Sequence, residues 1–116
     1  MIETSNAVIT GASLCIEDHG FLSSFIYLDY GGSGQGFGGY ALATPKELTL
    51  ELVNPNGAGV WIYRVLQIAG VEEWDKLKGR TIRARHEHNK VHAIGHIIRD
   101  DWFTPAEVFE KMRLNK

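Results

Sequence analysis

Two strand-like runs near the N-terminus limit most strongly what this chain can fold into. From Ala7 to Glu17 the side chains alternate with a period of two, which is typical of a half-buried strand. Residues 18–20, Asp-His-Gly, supply turn chemistry, and the run Phe21–Tyr30 is rich in aromatic and branched residues that favour strands. The sequence therefore predicts an antiparallel hairpin, with a short third strand over 40–43.

A second hairpin is predicted from the runs 80–85 and 91–99, which flank His88, Asn89 and Lys90. A two-residue turn at Asn89 and Lys90 would pair His86 with Ala93 and would align Arg83 with His96. In this register His86 shares an apolar face with Ile82 and Ala84. The opposite face then carries four basic or titratable side chains: Arg83, Arg85, His92 and His96.

Helical spacing appears twice in the second half of the chain. From Ala58 to Ala69 apolar residues recur at helical intervals, Gly70 stands at the C-cap position, and we expect Trp61, Val65 and Leu66 to face the core. Residues 104–107, Thr-Pro-Ala-Glu, have the form of a capping box and predict a short C-terminal helix to about residue 113. The segment 48–53 fits a strand or a helix. The predicted fold is α+β, one domain over 1–116, in which two hairpins form an antiparallel sheet and the first helix packs on one face.

Composition limits the class of protein. With 116 residues, 44% hydrophobic and 22% charged residues, the chain is long enough for one globular core. A net charge of −2 argues against general nucleic-acid binding, and no run is long and apolar enough for a membrane span. A single cysteine, Cys15, forms no internal disulfide and is expected to be buried in its strand. These features predict a cytoplasmic protein.

Residues 31–39 hold six of the 13 glycines, directly after a predicted strand. The glycines at 34, 36 and 39 satisfy dinucleotide-binding spacing, but no helix follows them and no lysine succeeds them, so a nucleotide enzyme is disfavoured. Dense glycine indicates a loop that folds tightly or that a ligand or partner approaches closely. The candidate contact residues of this loop are Gly34, Gly36, Phe37, Gly38 and Tyr40.

The polar face of the second hairpin forms a second candidate site. Guanidinium groups bind phosphate and carboxylate in a bidentate way, so Arg83 and Arg85, with His92 and His96, are candidate contacts for an anionic ligand or an acidic partner. A solvated strand face balanced by acidic neighbours is the alternative. In the predicted register four histidines cannot converge on a metal, and no catalytic set is evident. The sequence therefore predicts no enzyme activity, no metal and no cofactor.

Several segments resemble a family of small tailed-bacteriophage and prophage proteins to which no activity is assigned. The resemblance covers about residues 8 to 109 and lies in four segments: 28–40 (LDYGGSGQGFGGY), 69–71 (AGV), 74–79 (WDKLKG) and 93–103 (AIGHIIRDDWF). It implies a phage protein acting in the cytoplasm of a bacterial host. Small phage accessory proteins commonly act by binding, which is an argument from association.

The resulting expectation is a non-enzymatic phage accessory protein that binds a host target, such as an antiviral defence component, through the glycine segment and the basic hairpin face. The alternative is a sponge for a small phosphorylated signalling nucleotide, with Arg83 and Arg85 on the phosphate and Phe37 or Tyr40 stacking on the base. A small metal-dependent hydrolase is a third hypothesis. The sequence does not determine whether the protein forms a homo-oligomer.

Overall fold

The strands of this protein form one antiparallel sheet in a computed structural model that describes residues 1–17, 20–40, 42 and 57–114. The sheet order is β3-β2-β1-β4-β5-β6, and within the described residues two helices accompany it. The elements are β1 (Glu3–Ile16), β2 (Leu22–Tyr30), β3 (Ser33–Gly38), α1 (Gly57–Ala69), β4 (Thr81–Glu87), β5 (Lys90–Gly95), β6 (Trp102–Phe103) and α2 (Pro105–Leu114), with a 3₁₀ turn at Trp74–Lys76 between α1 and β4. The predicted α+β architecture, with a central helix and a short C-terminal helix, is confirmed.

Strand β1 lies at the centre and is longer than predicted, because it serves two neighbours. Its residues 3–8 pair with β4, and its residues 8–16 pair with β2. A bulge between Ile9 and Gly11 interrupts the pairing with β2 just beyond the stretch that pairs with β4, and bulges of this kind increase local twist. The sheet curls until β3 lies beside β5, where the Gln35 amide donates a 2.8 Å hydrogen bond to the carbonyl of His88.

Helix α1 packs on the inner face of the curled sheet. Its buried side chains are Trp61, Val65, Ile68 and Ala69. The helix ends as predicted at Gly70, whose φ of 71° lies in the left-handed region. The Val71 amide donates to the Leu66 carbonyl (3.1 Å) and the Gly70 amide to the Gln67 carbonyl (3.2 Å), which is the Schellman pattern.

The glycine segment is a strand, so the prediction of a loop over 31–39 is wrong. Gly31 and Gly32, with φ of 67° and 84°, form the two-residue turn between β2 and β3. Within β3 the glycines alternate with Gln35 and Phe37, which face inward. The predicted third strand over 40–43 is also not found: Tyr40 and Leu42 lie outside strands, and positions 41 and 43 lie outside the described residues.

The second hairpin forms, but its predicted register is wrong by two residues beside the turn and by one residue beyond a bulge. The turn occupies His88 and Asn89, so that Glu87 pairs with Lys90 and His86 with Val91. A bulge between Arg85 and His86 follows, and it absorbs one residue of β5. In consequence Arg83 lies opposite Gly95, and Arg85 lies opposite Ala93.

Four further predictions have different outcomes. Strand β5 ends at Gly95, short of the predicted Arg99, because the chain bends and returns as β6. Cys15 is exposed, which corrects the expectation of burial, since its strand turns this side chain outward near the end of β1. The open question over 48–53 falls outside the described residues. Helix α2 begins at Pro105, as the capping box predicts.

Candidate functional site

A tryptophan lying across the outer surface of the second hairpin organises the basic side chains. Trp102 of β6 pairs with Gly95 of β5, and a Cβ at Gly95 would lie 2.7 Å from the indole ring. The ring can therefore lie flat on the strand only because position 95 is glycine. The Arg85 guanidinium carbon lies 3.8 Å from the centroid of this ring, and that of Arg83 lies 4.9 Å from it. We call the surface formed by Arg83, Arg85, His96, Arg99 and Trp102 the cationic face.

The two arginines over Trp102 are held differently. Arg83 donates from Nε to the His96 carbonyl (2.8 Å) and from Nη2 to the Arg99 carbonyl (2.7 Å), so its guanidinium fixes the bend after β5. Arg85 is exposed and stacks on the ring without an ion pair to a carboxylate among the described residues. Arg85 is thus an oriented guanidinium whose donors face solvent.

The two histidines predicted for this site have structural partners. His96 Nδ1 accepts hydrogen bonds from the backbone amides of Ile98 (3.1 Å) and Arg99 (3.0 Å), which stabilises the bend. His92 Nε2 lies 3.1 Å from a Glu87 carboxylate oxygen. His92 therefore balances Glu87, and His96 shapes the loop that carries Arg99.

The glycine segment has a packing role on the outer surface of β3. The rings of Phe25 and Tyr27 stack with centroids 6.0 Å apart on the neighbouring strand. A Cβ at Gly36 would lie 3.2 Å from the Phe25 ring, whereas a Cβ at Gly34 would meet the Leu28 carbonyl at an ordinary 3.6 Å. Glycine at 36 thus leaves space for an aromatic side chain of β2, as glycines on edge strands often do.

The aromatic residues predicted to contact a partner lie inside the protein. Phe37 is 1% exposed and its ring stacks on Trp61 at 5.3 Å. Tyr40 is half-buried and meets Phe109 edge-on at 5.4 Å, and burial raises the pKa of its phenol. Gly38, with φ of 129°, lies against the same Trp61 ring. These side chains are packing residues on the inner face, while Arg83 and Arg85 lie on the outer face.

The structure therefore brings together three of the nine predicted site residues. Arg83 and Arg85 meet over the Trp102 ring, and Arg83 is hydrogen-bonded to the His96 carbonyl. The glycine segment lies on β3, separated from β4 in the sheet by β2 and β1. Trp102 is the first residue of β6 and lies across from Gly95 in the neighbouring strand. A tryptophan opposite a glycine was the available signal, but it depends on a strand pairing that the sequence does not show.

Sequence reasoning missed a polar cluster at one end of the curled sheet. His86, as predicted, faces inward and is buried, but its Nε2 lies 2.8 Å from the Ser5 hydroxyl and its ring stacks on Tyr30 at 4.2 Å. Burial raises the pKa of the Tyr30 phenol, whose buried oxygen has no hydrogen-bond partner among the described residues. The sequence did carry a signal for this cluster. His86 continues the inward-facing apolar row of Ile82 and Ala84, and it is the polar residue at the end of that row.

Comparison of this chain with protein-family models, curated proteins and solved structures gives no match. No helix in the described ranges is long and apolar enough to cross a membrane. Nor does that part of the chain contain three or more His, Cys, Asp or Glu side chains grouped to hold a metal ion. The cationic face is therefore the feature from which a function can be inferred.

Proposed function

We propose that this protein is a non-enzymatic phage accessory protein that binds a host protein, a component of an antiviral defence system, through the cationic face. The observation that supports this proposal is the stacking of Arg85 on Trp102, which presents an oriented guanidinium beside a flat aromatic surface. Arginine and tryptophan are the residue types that most often dominate binding energy at protein interfaces. The phage and host setting rests on the family resemblance alone.

The partner surface that suits this face is acidic. Arg85, which lies over the Trp102 ring, and Arg99, whose carbonyl accepts a hydrogen bond from Arg83, are both exposed in a chain whose net charge is −2. Their positive charge is therefore local, and it favours carboxylates on a partner by bidentate hydrogen bonding. Trp102 lies beneath the two guanidinium groups and holds Arg85 in an orientation that suits such bonding.

A phosphorylated nucleotide is the second candidate, because a stacked guanidinium also suits phosphate. The base would need a different platform from the one predicted, since Phe37 is buried against Trp61. Arg83 and Arg85 already cover one face of the Trp102 ring, so a base cannot stack on that face. This geometry makes the acidic protein partner the better-supported candidate.

The test is affinity purification of the tagged protein from infected or lysogenic cells, followed by native mass spectrometry. We expect a co-purifying polypeptide with the wild type, and about tenfold weaker binding of it by Arg85→Gln, because a charged hydrogen bond is lost. Lys78→Gln removes the same charge from an exposed position in another part of the chain and should bind like the wild type. Arg83 is left intact because its two bonds to carbonyls hold the bend.

Two results would contradict the proposal. Retention of a small phosphorylated molecule with no polypeptide would favour the nucleotide sponge. Equal binding of the polypeptide by wild type and Arg85→Gln would exclude the cationic face from the interface. Binding that weakens with salt is expected in the wild type, since exposed charges are screened over about 8 Å at physiological ionic strength.

A further inference from the structure

A cavity opens at the end of the curled sheet where β1 begins, β2 ends and β3 begins. The turn between β4 and β5 closes its remaining side. The cavity has a volume of about 380 Å³, which lies in the range of small-molecule sites. Its lining residues are Met1, Glu3, Tyr30, Ser33, Gln35, His86, Glu87 and His88. Arg83 and Arg85 point to the outer surface, so this cavity is distinct from the cationic face.

Hydrogen bonds hold the wall of this cavity in place without a ligand. The Gln35 side chain donates to the His88 carbonyl (2.8 Å) and so joins β3 to the turn after β4. The Ser5 hydroxyl and His86 Nε2 are 2.8 Å apart, and the Tyr30 ring lies over the imidazole. A preformed wall lowers the cost of ordering side chains when a ligand binds.

The charge of the lining selects the sign of a ligand. Two carboxylates, from Glu3 and Glu87, line the cavity, against one positive group, the amino terminus of the lining residue Met1, and no lysine or arginine side chain lines it. Glu87 is 3.1 Å from His92, whereas Glu3 has no ion-pair partner among the described residues. Clustered carboxylates in a concave site favour a cation and repel an anion.

Two further features suit an organic cation rather than a bare ion. The described residues contain no group of ligands arranged for a metal. The stacked pair of Tyr30 and His86 instead supplies aromatic surface beside the carboxylates. Ammonium groups are attracted to aromatic faces as well as to carboxylates. We propose that this cavity binds a small organic ammonium ion, with Glu3 as its ionic partner and Tyr30 as its aromatic wall.

The test is an NMR titration of the intact protein with three probes of equal length: putrescine, 1,4-butanediol and succinate. We expect saturable shifts of the Gln35 and His86 backbone amides with putrescine alone. Glu3→Gln removes the charge at an exposed strand start and should weaken putrescine binding by about tenfold or more, because a charged hydrogen bond is lost. Glu72→Gln, at an exposed position after α1, is the matched control and should bind putrescine as the wild type does.

Arg85→Gln separates this proposal from the proposed function. This substitution should leave the affinity for putrescine unchanged and should weaken binding of the polypeptide partner. Three results overturn the ammonium site: no saturable shift with putrescine up to millimolar concentration, equal shifts with succinate, or unchanged putrescine affinity in Glu3→Gln. Shifts confined to residues away from the cavity would likewise overturn it.

Discussion

The outward-facing residues of β3 show how a missing side chain can be a structural requirement. Gly36 leaves room for the Phe25 ring, and Gly39 does the same, since a Cβ there would lie 2.6 Å from that ring. Gly95 serves Trp102 in the same way on β5. Glycine density in the sequence indicated close approach correctly, but the approaching group is the protein's own aromatic side chain.

Glycines in one strand should differ sharply in their tolerance of alanine. At Gly38 the φ is 129°, a Cβ would overlap the Ser24 carbonyl oxygen and would lie 3.0 Å from the Trp61 ring. Gly38→Ala should therefore lower the free energy of unfolding by about 1–3 kcal/mol. Gly34→Ala adds a methyl group at ordinary contact distance and should change it by less than about 1 kcal/mol. Urea denaturation measures the free energy of unfolding of both variants. Equal losses in the two variants would mean that the backbone at position 38 relaxes to accommodate the methyl group.

At the scale of elements, the helices were predictable and their exact faces were not. The sequence indicated α1 through its apolar spacing and its terminal glycine, and both are confirmed. Leu66 was expected in the core but is half-buried, while Ile68 is 1% exposed. Apolar residues occur on most sides of α1, so their spacing alone does not determine which side chains lie at the centre of the buried face.

The register of the second hairpin shows a similar limit. Alternation placed His86 inward and Arg83 outward, and these faces are correct in the structure. The turn position was wrong, and a bulge beside Arg85 and His86 shifts the pairing again, which exchanges the two faces of β5: Ile94 lies opposite Ala84 and is buried, whereas Gly95 lies opposite Arg83 on the outer face. Bulges depend on neighbouring strands and on the curl of the sheet, which local pattern does not report.

Two substitutions in α1 test which side chains form its core. Ile68→Ala removes a buried side chain and should lower the free energy of unfolding by about 2–5 kcal/mol. Leu66→Ala truncates a half-buried side chain of the same size, so its loss should be clearly smaller. Chemical denaturation of both variants at neutral pH measures the difference. A larger loss for Leu66→Ala would mean that the helix is rotated from the orientation described here.

At the scale of the whole molecule, distant segments meet at places that no local pattern indicates. The cavity combines residues from 1 to 88, and it exists because the sheet curls until β3 and the turn after β4 meet. Trp102 is half-buried beneath two arginines of the second hairpin. The cavity depends on closure of the sheet and the cationic face on the pairing of β5 with β6, and alternation and helical spacing encode neither.

A long-range ion pair also fastens α1 to the strand end that carries Trp102. Arg64 donates to both carboxylate oxygens of Asp101, at 2.8 and 3.4 Å, and to the Trp102 carbonyl at 3.1 Å. The hydrogen bond from Arg64 is the main reason that the pKa of Asp101 is lowered. The carboxyl group is therefore charged in the folded protein at pH values where the unfolded chain begins to protonate it.

The contribution of this ion pair should vanish in acid. Because the folded pKa of Asp101 is lowered, its stabilisation is fully present above the unfolded pKa of about 4 and is lost as the pH falls through the folded value. A double-mutant cycle of Arg64→Gln and Asp101→Asn, followed by urea denaturation from pH 7 downwards, measures the coupling. We expect at most about 1 kcal/mol at neutral pH, because both side chains are partly exposed, and none once Asp101 is protonated. Coupling that persists unchanged below the folded pKa would show that packing, rather than charge, joins α1 to the Trp102 segment.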